Sequence, residues 1–225
     1  MNAPKLDKRL RAVVDNVEGK TFADIGCDHG KVTVCALIEG RAQQAIACDI
    51  SQKSLDKAVK LAKTYGLNSV QFRCADGLKQ IADNEVDCVV IAGMGGKEIM
   101  SILTDIPQGI KRFVLVAHKN TIELREFLSS KDLYIDKDFV VEQGGKFYNI
   151  IVAISGNGKV CELSEEELYL GKNSNANADY ILYIENLRRK ERALKEYSDK
   201  SREGRILQRI IAIIDGKDKE EICQK

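Results

Sequence analysis

The stretch Thr21 to Gly30, TFADIGCDHG, decides the fold. A short apolar run, Thr21 to Ile25, ends in a loop bounded by Gly26 and Gly30, and a helical pattern resumes after it. Strand, tight turn, helix is the opening of a nucleotide-binding α/β domain. The two glycines permit a sharp turn and a close backbone approach to a ligand. The loop also carries Asp24, Asp28 and His29. A dinucleotide loop must cradle an anionic pyrophosphate on helix N–H groups, and carboxylates there would repel it. Acids suit a ligand with positive charge, such as the sulfonium and ammonium of S-adenosylmethionine. The acid-x-Gly-x-x-x-Gly spacing therefore predicts a methyl-donor loop.

Working outward, alternating strands and helices continue on both sides. Before the loop, Leu6, Leu10, Val13, Val14 and Val17 follow helical spacing. The other face of that helix holds Lys5, Lys8, Arg9 and Arg11, either a solvated face or a basic edge at the cofactor mouth. After the loop the pattern predicts a helix over Lys31–Glu39 and a strand over Gln44–Asp49. Ser51 is placed to cap the next helix, which should stop at Gly66. Further strands are predicted at Val70–Cys74, at Val86–Ala92, an apolar run fit for burial on both faces, and at Arg112–Ala117. Helices are expected over Lys97–Thr104 and Thr121–Ser130. Leu133–Gln143 and Lys146–Ser155 then read as two strands joined across Gly144-Gly145, a hairpin signal. Five βα units followed by a hairpin is not an all-parallel dinucleotide fold. It is the order of a Rossmann-like class I methyltransferase, whose seventh strand runs antiparallel beside the sixth.

Gly156-Asn157-Gly158 marks a domain boundary, giving a catalytic domain over 1–157 and a helical domain over 158–225. In the second, Ser164 and Glu167 form a capping box. A long helix is expected from about Ala176 to Tyr197, with Tyr180, Ile184, Leu187, Leu194 and Tyr197 along one seam. Ser198 to Gly204 should break it, and Ile206, Leu207, Ile210, Ile211 and Ile214 form a second stripe. An antiparallel, coiled-coil-like helical hairpin follows. Arg188, Arg189, Lys190, Arg192 and Lys195 cluster on its first helix, as an RNA grip or as an ordinary solvated face.

Composition bounds these readings. The chain has 225 residues, and its 35 Lys and Arg nearly balance 34 Asp and Glu, so any RNA-binding surface must be a local patch. No run approaches the ~18 apolar residues of a membrane span, and the N-terminus lacks the apolar core of a secretory signal. The seven cysteines include no CxxC pair, so disulfides and a metal site are not expected and a reducing cytoplasm is. Cys48, Cys74 and Cys88 sit in strand-like runs as small hydrophobes.

The loops that follow the strands should converge on one crevice. Asp49 ends a strand nineteen residues beyond Gly30, where a carboxylate can accept both hydrogen bonds of a ribose diol or simply cap the next helix. Asp76 could accept from the adenine amine while Leu78 packs on its ring, or Asp76-Gly77 is a plain turn. Gly93-Met94-Gly95-Gly96 lets backbone approach a flat substrate, with Met94 against a base. The residues alone leave open a methyltransferase of RNA, one of small molecules, and an inactive RNA-binding relative.

ADIGCDHG, ACDIS, ADGL, VIAGMGG and the hairpin GGKFYNIIVA together resemble the bacterial TrmK family over nearly the whole chain. The resemblance implies S-adenosylmethionine-dependent methylation of N1 of adenine 22 in tRNA; no metal and no membrane are expected, and the oligomeric state stays open, with a monomer favoured. It implies a cofactor site of Arg9, Asp24, Gly26, Asp28, His29, Asp49, Ile50, Asp76, Gly77, Leu78, Gly93 and Met94. Asp28, His29 and Asn120 are the catalytic candidates. Gly93, Met94, Gly95, Arg188, Arg189 and Arg192 are the substrate candidates. The chain departs from the family at Ala117-His118-Lys119-Asn120, where Leu-Gln-Pro-Asn is usual, and in the helix KVTVCALIEG.

Overall fold

The computed structural model describes residues 3–156, 162–172, 178–195 and 201–223. Helix α1 (Lys8–Asn16) leads into β1 (Thr21–Ile25), α2 (Lys31–Ile38), β2 (Gln44–Asp49), α3 (Gln52–Thr64) and β3 (Val70–Cys74). Then come β4 (Cys88–Met94), α4 (Gly96–Ile102), β5 (Arg112–Ala117) and α5 (Thr121–Ser130). The hairpin β6 (Leu133–Gln143) and β7 (Lys146–Ser155) is followed by α6 (Glu165–Leu170), α7 (Ala178–Lys195) and α8 (Arg202–Cys223).

The seven strands form one sheet in the order β3-β2-β1-β4-β5-β7-β6. β1 to β5 pair in parallel, and β7 runs antiparallel to both β5 and β6. The hairpin closes because Gly144 and Gly145 both take positive φ, 61° and 77°, as a two-residue turn of this hand requires. Alternate strand residues feed two cores. Ala23, Ile25, Val89, Ile91 and Leu115 pack with Ile99, Leu103, Leu124 and Leu128 of α4 and its surroundings and α5. Phe22, Cys88, Val90, Val114 and Ile150 pack with Val13, Val14 and Cys35 of α1 and α2. Burial on both faces is why β4 reads as an unbroken apolar run.

The strand order reverses at β1, which pairs with β2 on one side and β4 on the other. That switch opens a crevice beyond the carboxyl ends of these strands.

The C-terminal helices have their own core of Leu170, Leu187, Leu207, Ile210 and Ile214. They also dock on the sheet. Arg125 and Asp138, each with a side chain 1% exposed, pair at 2.6 Å, and Arg125 donates to the Leu168 carbonyl of α6 at 2.9 Å. Asp179 of α7 accepts from Lys8 at 3.3 Å and from the Glu142 N–H at 3.1 Å, and Tyr183 stacks obliquely on Phe147. No helix among the described residues is long and apolar enough to cross a membrane.

Several boundaries differ from the sequence expectation. β4 begins at Cys88 rather than Val86, because the Asp87 carboxylate takes the Lys20 and Thr21 N–H groups and holds the approach in a loop. It runs on to Met94, since pairing resumes at Met94–Ala117 after a bulge at Gly93. α4 starts one residue early, at Gly96, because the Glu98 carboxylate accepts the Gly95 N–H at 2.6 Å. Gly204 lies inside α8, whose start is held by Ser201 Oγ accepting the Gly204 N–H at 2.9 Å. Along the α7 seam Leu187 is buried and Ile184 partly so, joined by Tyr183. The side chain of Leu194, all of Tyr197, and Asn157-Gly158 at the expected boundary lie outside the described residues. Cys48 and Cys88 are buried as expected, but Cys74 is exposed, at the end of the sheet's outermost parallel strand.

Candidate active site

A cavity of about 950 Å³ lies in the crevice. Its walls come from the start of α1 and from the loops after β1, β2, β3 and β4, with part of α4. Six carboxylates line it, Asp7, Asp24, Asp28, Asp49, Asp76 and Glu98, against two cations, Arg9 and Lys31. Such a wall favours a ligand that brings positive charge.

The first loop is built as the glycines require. Gly26 has φ of 72° and Gly30 of 69°, and Asp28 itself sits in the left-handed region at 48°. The Gly26 and Cys27 N–H groups both donate to the Cys48 carbonyl, at 2.8 and 2.9 Å, tying the loop to β2. A Cβ on Gly26 would stand 2.4 Å from Met94 Cε, so the methionine of the β4 loop packs directly over this glycine.

Asp49 holds the next loop. Its Oδ2 accepts the Asp28 N–H at 2.9 Å and its Oδ1 accepts the Ser51 N–H at 2.8 Å. Each oxygen keeps a lone pair for a further donor. Ile50 follows it and is 75% exposed, an apolar face at the rim. Asp24 lies deeper, only 3% exposed, with Oδ2 accepting the Thr33 hydroxyl at 2.6 Å. Burial pushes its carboxyl up to about 6, opposed by the Thr33 hydrogen bonds and reinforced by Asp49. It is still mainly ionised at neutral pH. Burial first, and then the neighbouring carboxylates, also drive the Cys27 thiol well above its usual range, so it is a neutral part of the wall. His29 Nε2 is 2.8 Å from Lys57 Nζ and 3.6 Å from an Asp28 oxygen. The lysine is the donor, so Nε2 acts as acceptor.

Arg9 reaches the mouth from α1. Its guanidinium lies 5.2 Å from the Tyr148 ring centre and 3.8 Å from Asp7. Its Nη1 is 3.7 Å from where a Gly93 Cβ would be. Gly96 packs against backbone: a Cβ there would meet the Asn120 carbonyl oxygen at 2.4 Å, and its N–H donates to the Lys119 carbonyl at 2.8 Å. The glycine run thus serves close contact between the β4 and β5 loops as well as access to the cavity.

Residues 6–151 match a family described as a methyltransferase domain. The chain is 35% identical over 162 residues, 70% of its length and 68% of the relative's, to the tRNA (adenine(22)-N(1))-methyltransferase of Bacillus subtilis. The chain belongs to the TrmK family. Its fold superimposes on M. capricolum TrmK, solved with the cofactor product S-adenosyl-homocysteine, with a TM-score of 0.80 and 27% identity, covering 95% of this chain and 98% of that one. B. subtilis TrmK, an M1A22 tRNA methyltransferase, gives 0.73 at 25% identity over 94% and 96%.

Set on this TrmK fold, the residues singled out in the sequence separate into groups. Arg9, Asp24, Gly26, Asp28, His29, Asp49, Ile50, Asp76, Gly77, Gly93 and Met94 all line the one cavity. Leu78 does not. It is 5% exposed in the main core and borders a neighbouring cavity of about 620 Å³, because the turn at Gly77 rotates it inward. Gly95 and Asn120 stand beside the cavity in the zipped β4 and β5 loops. Asn120 has φ of 56° at the start of α5, with its amide 3.4 Å from Glu123. Arg188, Arg189 and Arg192 lie on α7, away from the cavity wall, with Arg188 3.4 Å from Asp215 and Arg189 2.9 Å from Asn186. Asp7, Lys31 and Glu98 in the wall, and Thr33 behind Asp24, were not anticipated. Thr33 alone had a readable signal, one turn into the helix after the loop and facing the acid that precedes it. Among the described residues no group of three metal-ligating side chains occurs.

Proposed function

We propose that this chain transfers the methyl group of S-adenosylmethionine to N1 of adenine 22 in tRNA. The observation that carries the reading is its likeness to the B. subtilis enzyme of that name over 70% of the chain. The acid-lined cavity at the strand-order switch supports it, since the donor carries a sulfonium and an ammonium. In this reading Asp49 accepts from the ribose hydroxyls, Ile50 lies against the adenine ring and Asp76 accepts from its amine. Asp24 and Asp28 draw the cationic methionine end, with Gly26, His29 and Met94 shaping its path and Arg9 closing the mouth. Gly93 and Gly95 form the floor for the target base, with Asn120 beside it.

The chemistry asks little acid–base work of the protein. Neutral adenine N1 holds an in-plane lone pair and attacks the sulfonium methyl directly, breaking the S–CH3 bond and leaving a neutral thioether. Alignment and exclusion of water then supply most of the acceleration. The modified base is cationic, so Asp28 at the loop stabilises the charge that develops. In a helix N1 is paired, so the base must be unpaired or extruded to react. The catalytic domain is read as 1–157 and the helical domain as 158–225, the latter offering Arg188, Arg189 and Arg192 to RNA. The setting is cytoplasmic and the working unit a monomer.

The test is transfer of labelled methyl from S-adenosylmethionine to unmodified tRNA, with the nucleoside and its position identified. Label in 1-methyladenosine at position 22 is expected. Label in another nucleoside, or only in small molecules, overturns the substrate assignment.

A further inference from the structure

Two cationic side chains reach the glycine run from different elements, and they differ in how they are engaged. Arg9 comes from α1 to Gly93 and is already held by Asp7 and by the Tyr148 ring. Lys119 comes from the loop between β5 and α5 to Gly95. A Cβ built on Gly95 would lie 2.6 Å from Lys119 Cε and 3.3 Å from its Cγ, so the lysine stem lies flat across that glycine. Lys119 is exposed, and among the described residues no ion pair joins its ammonium to a carboxylate. The nearby Glu98 carboxylate is turned to the Gly95 N–H instead. The lysine backbone is fixed from below, its carbonyl accepting the Gly96 N–H at 2.8 Å. A long, uncommitted cation therefore covers the floor on which a flat base would be laid, anchored at its base and free at its tip.

Charge decides what that tip can serve. N1-methylated adenine is cationic, so a second cation facing N1 would oppose the transfer. The negative charge of the substrate lies in the backbone, and a nucleotide whose base enters the crevice brings its two flanking phosphates to the rim. A flexible four-carbon stem ending in an ammonium suits a phosphate as a point charge. We propose that Lys119 is a substrate-positioning residue: its stem covers Gly95 until RNA arrives, and its ammonium then pairs with a phosphate next to the target adenine. This rests on the reading of the chain as a tRNA methyltransferase.

The experiment uses the full chain, unmodified tRNA and the variants Lys119→Gln and Lys119→Arg. For Lys119→Gln, KM for tRNA rises about fivefold with kcat little changed. The slope of log affinity for tRNA against log salt becomes shallower by about 0.7 to 1, the loss of one phosphate contact. Affinity for S-adenosylmethionine is unchanged, and Lys119→Arg keeps both KM and salt slope near the original. An unchanged KM and slope in Lys119→Gln overturns the assignment. So does a fall in kcat or in cofactor affinity without a change in slope, or a Lys119→Arg variant as impaired as Lys119→Gln. If the unaltered protein methylates tRNA while Lys119→Gln is indistinguishable from it, only the role of Lys119 fails. If the unaltered protein neither binds nor methylates tRNA, the functional reading fails and takes this proposal with it.

Discussion

Asp24 and Asp49 are both carboxylates at the carboxyl ends of neighbouring strands, yet their surroundings set them to different work. Asp49 is held by two backbone N–H groups and presents its remaining lone pairs to the cavity. Replacing it by alanine removes both the ligand acceptor and the brace of the Asp28 loop. Asp49→Ala is expected to weaken S-adenosylmethionine binding by about 10- to 100-fold, read by titration calorimetry. Asp24 is ionised at neutral pH at a cost, because burial raises its carboxyl from 3.8 to about 6. Between those values the folded chain holds a proton that the unfolded chain has released. Stability of the unliganded protein therefore falls as pH climbs from about 4 through about 6. Asp24→Asn removes that cost and should stabilise the unliganded protein at pH 7.5 by up to about 3 kcal/mol in denaturant titrations. The same variant should bind the cationic donor more weakly, and in the unaltered protein affinity for it should drop as pH falls below about 6. A less stable variant with undiminished affinity would show that Asp24 is a structural acid. Asp24 and Asp49 could be read from spacing alone. Leu78 could not, since the turn at Gly77 decides whether it faces the ligand or the core.

At the scale of the element, the hairpin β6–β7 supports the C-terminal helices. Asp138 points from β6 into the protein and meets Arg125 of α5, whose guanidinium reaches on to the Leu168 carbonyl in α6. One buried cation thereby links a helix, a strand and the end of a second helix. Arg125→Met would leave the Asp138 carboxylate buried and uncompensated, and the chain should lose about 3–5 kcal/mol of stability. Hydrogen exchange would show the loss locally, with α6 amides exchanging faster while β1 to β4 stay protected. Uniformly faster exchange would mean that α6 is not a separate docking unit. The hairpin was legible as two strands around Gly144-Gly145, because a two-glycine turn has a strong local signature. The Arg125–Asp138 link was not, since its partners are thirteen residues apart on different elements and charged residues at such positions ordinarily read as solvated.

At the scale of the whole molecule, near-neutral net charge hides a strong local division. Six carboxylates and only two cations, Arg9 and Lys31, line the cavity, while Lys119 lies beside it over Gly95. The C-terminal helices sit against the β6–β7 hairpin and the start of α1, through Asp179 with the Glu142 N–H and with Lys8, and Tyr183 with Phe147. Ending the chain at residue 156 would expose Arg125, Asp138 and the apolar face that α7 covers. The truncated protein should unfold at lower denaturant concentration than the full chain. Held folded at low temperature, it should still bind S-adenosylmethionine, because every wall of the main cavity lies before residue 156. Loss of cofactor binding by a truncated chain that circular dichroism shows to be folded would mean that the helices shape the cavity itself.

The residue order by itself determined the alternation of strands and helices, the hairpin and the acid-and-glycine loops, because periodicity, turn chemistry and strand-end position are local properties. It also placed ten of the cavity-lining residues at strand ends, since in a parallel sheet each strand's carboxyl end opens on the same edge, and Arg9 on the basic face of α1. Only the tertiary structure decided that Leu78 turns inward, that Lys31 and Glu98 join the site, that Gly96 is needed for backbone contact with Asn120, and that Lys119 lies over Gly95. Those facts depend on which segments meet across the crevice. Distance along the chain carries no record of that, because the packing of the two sheet faces sets it.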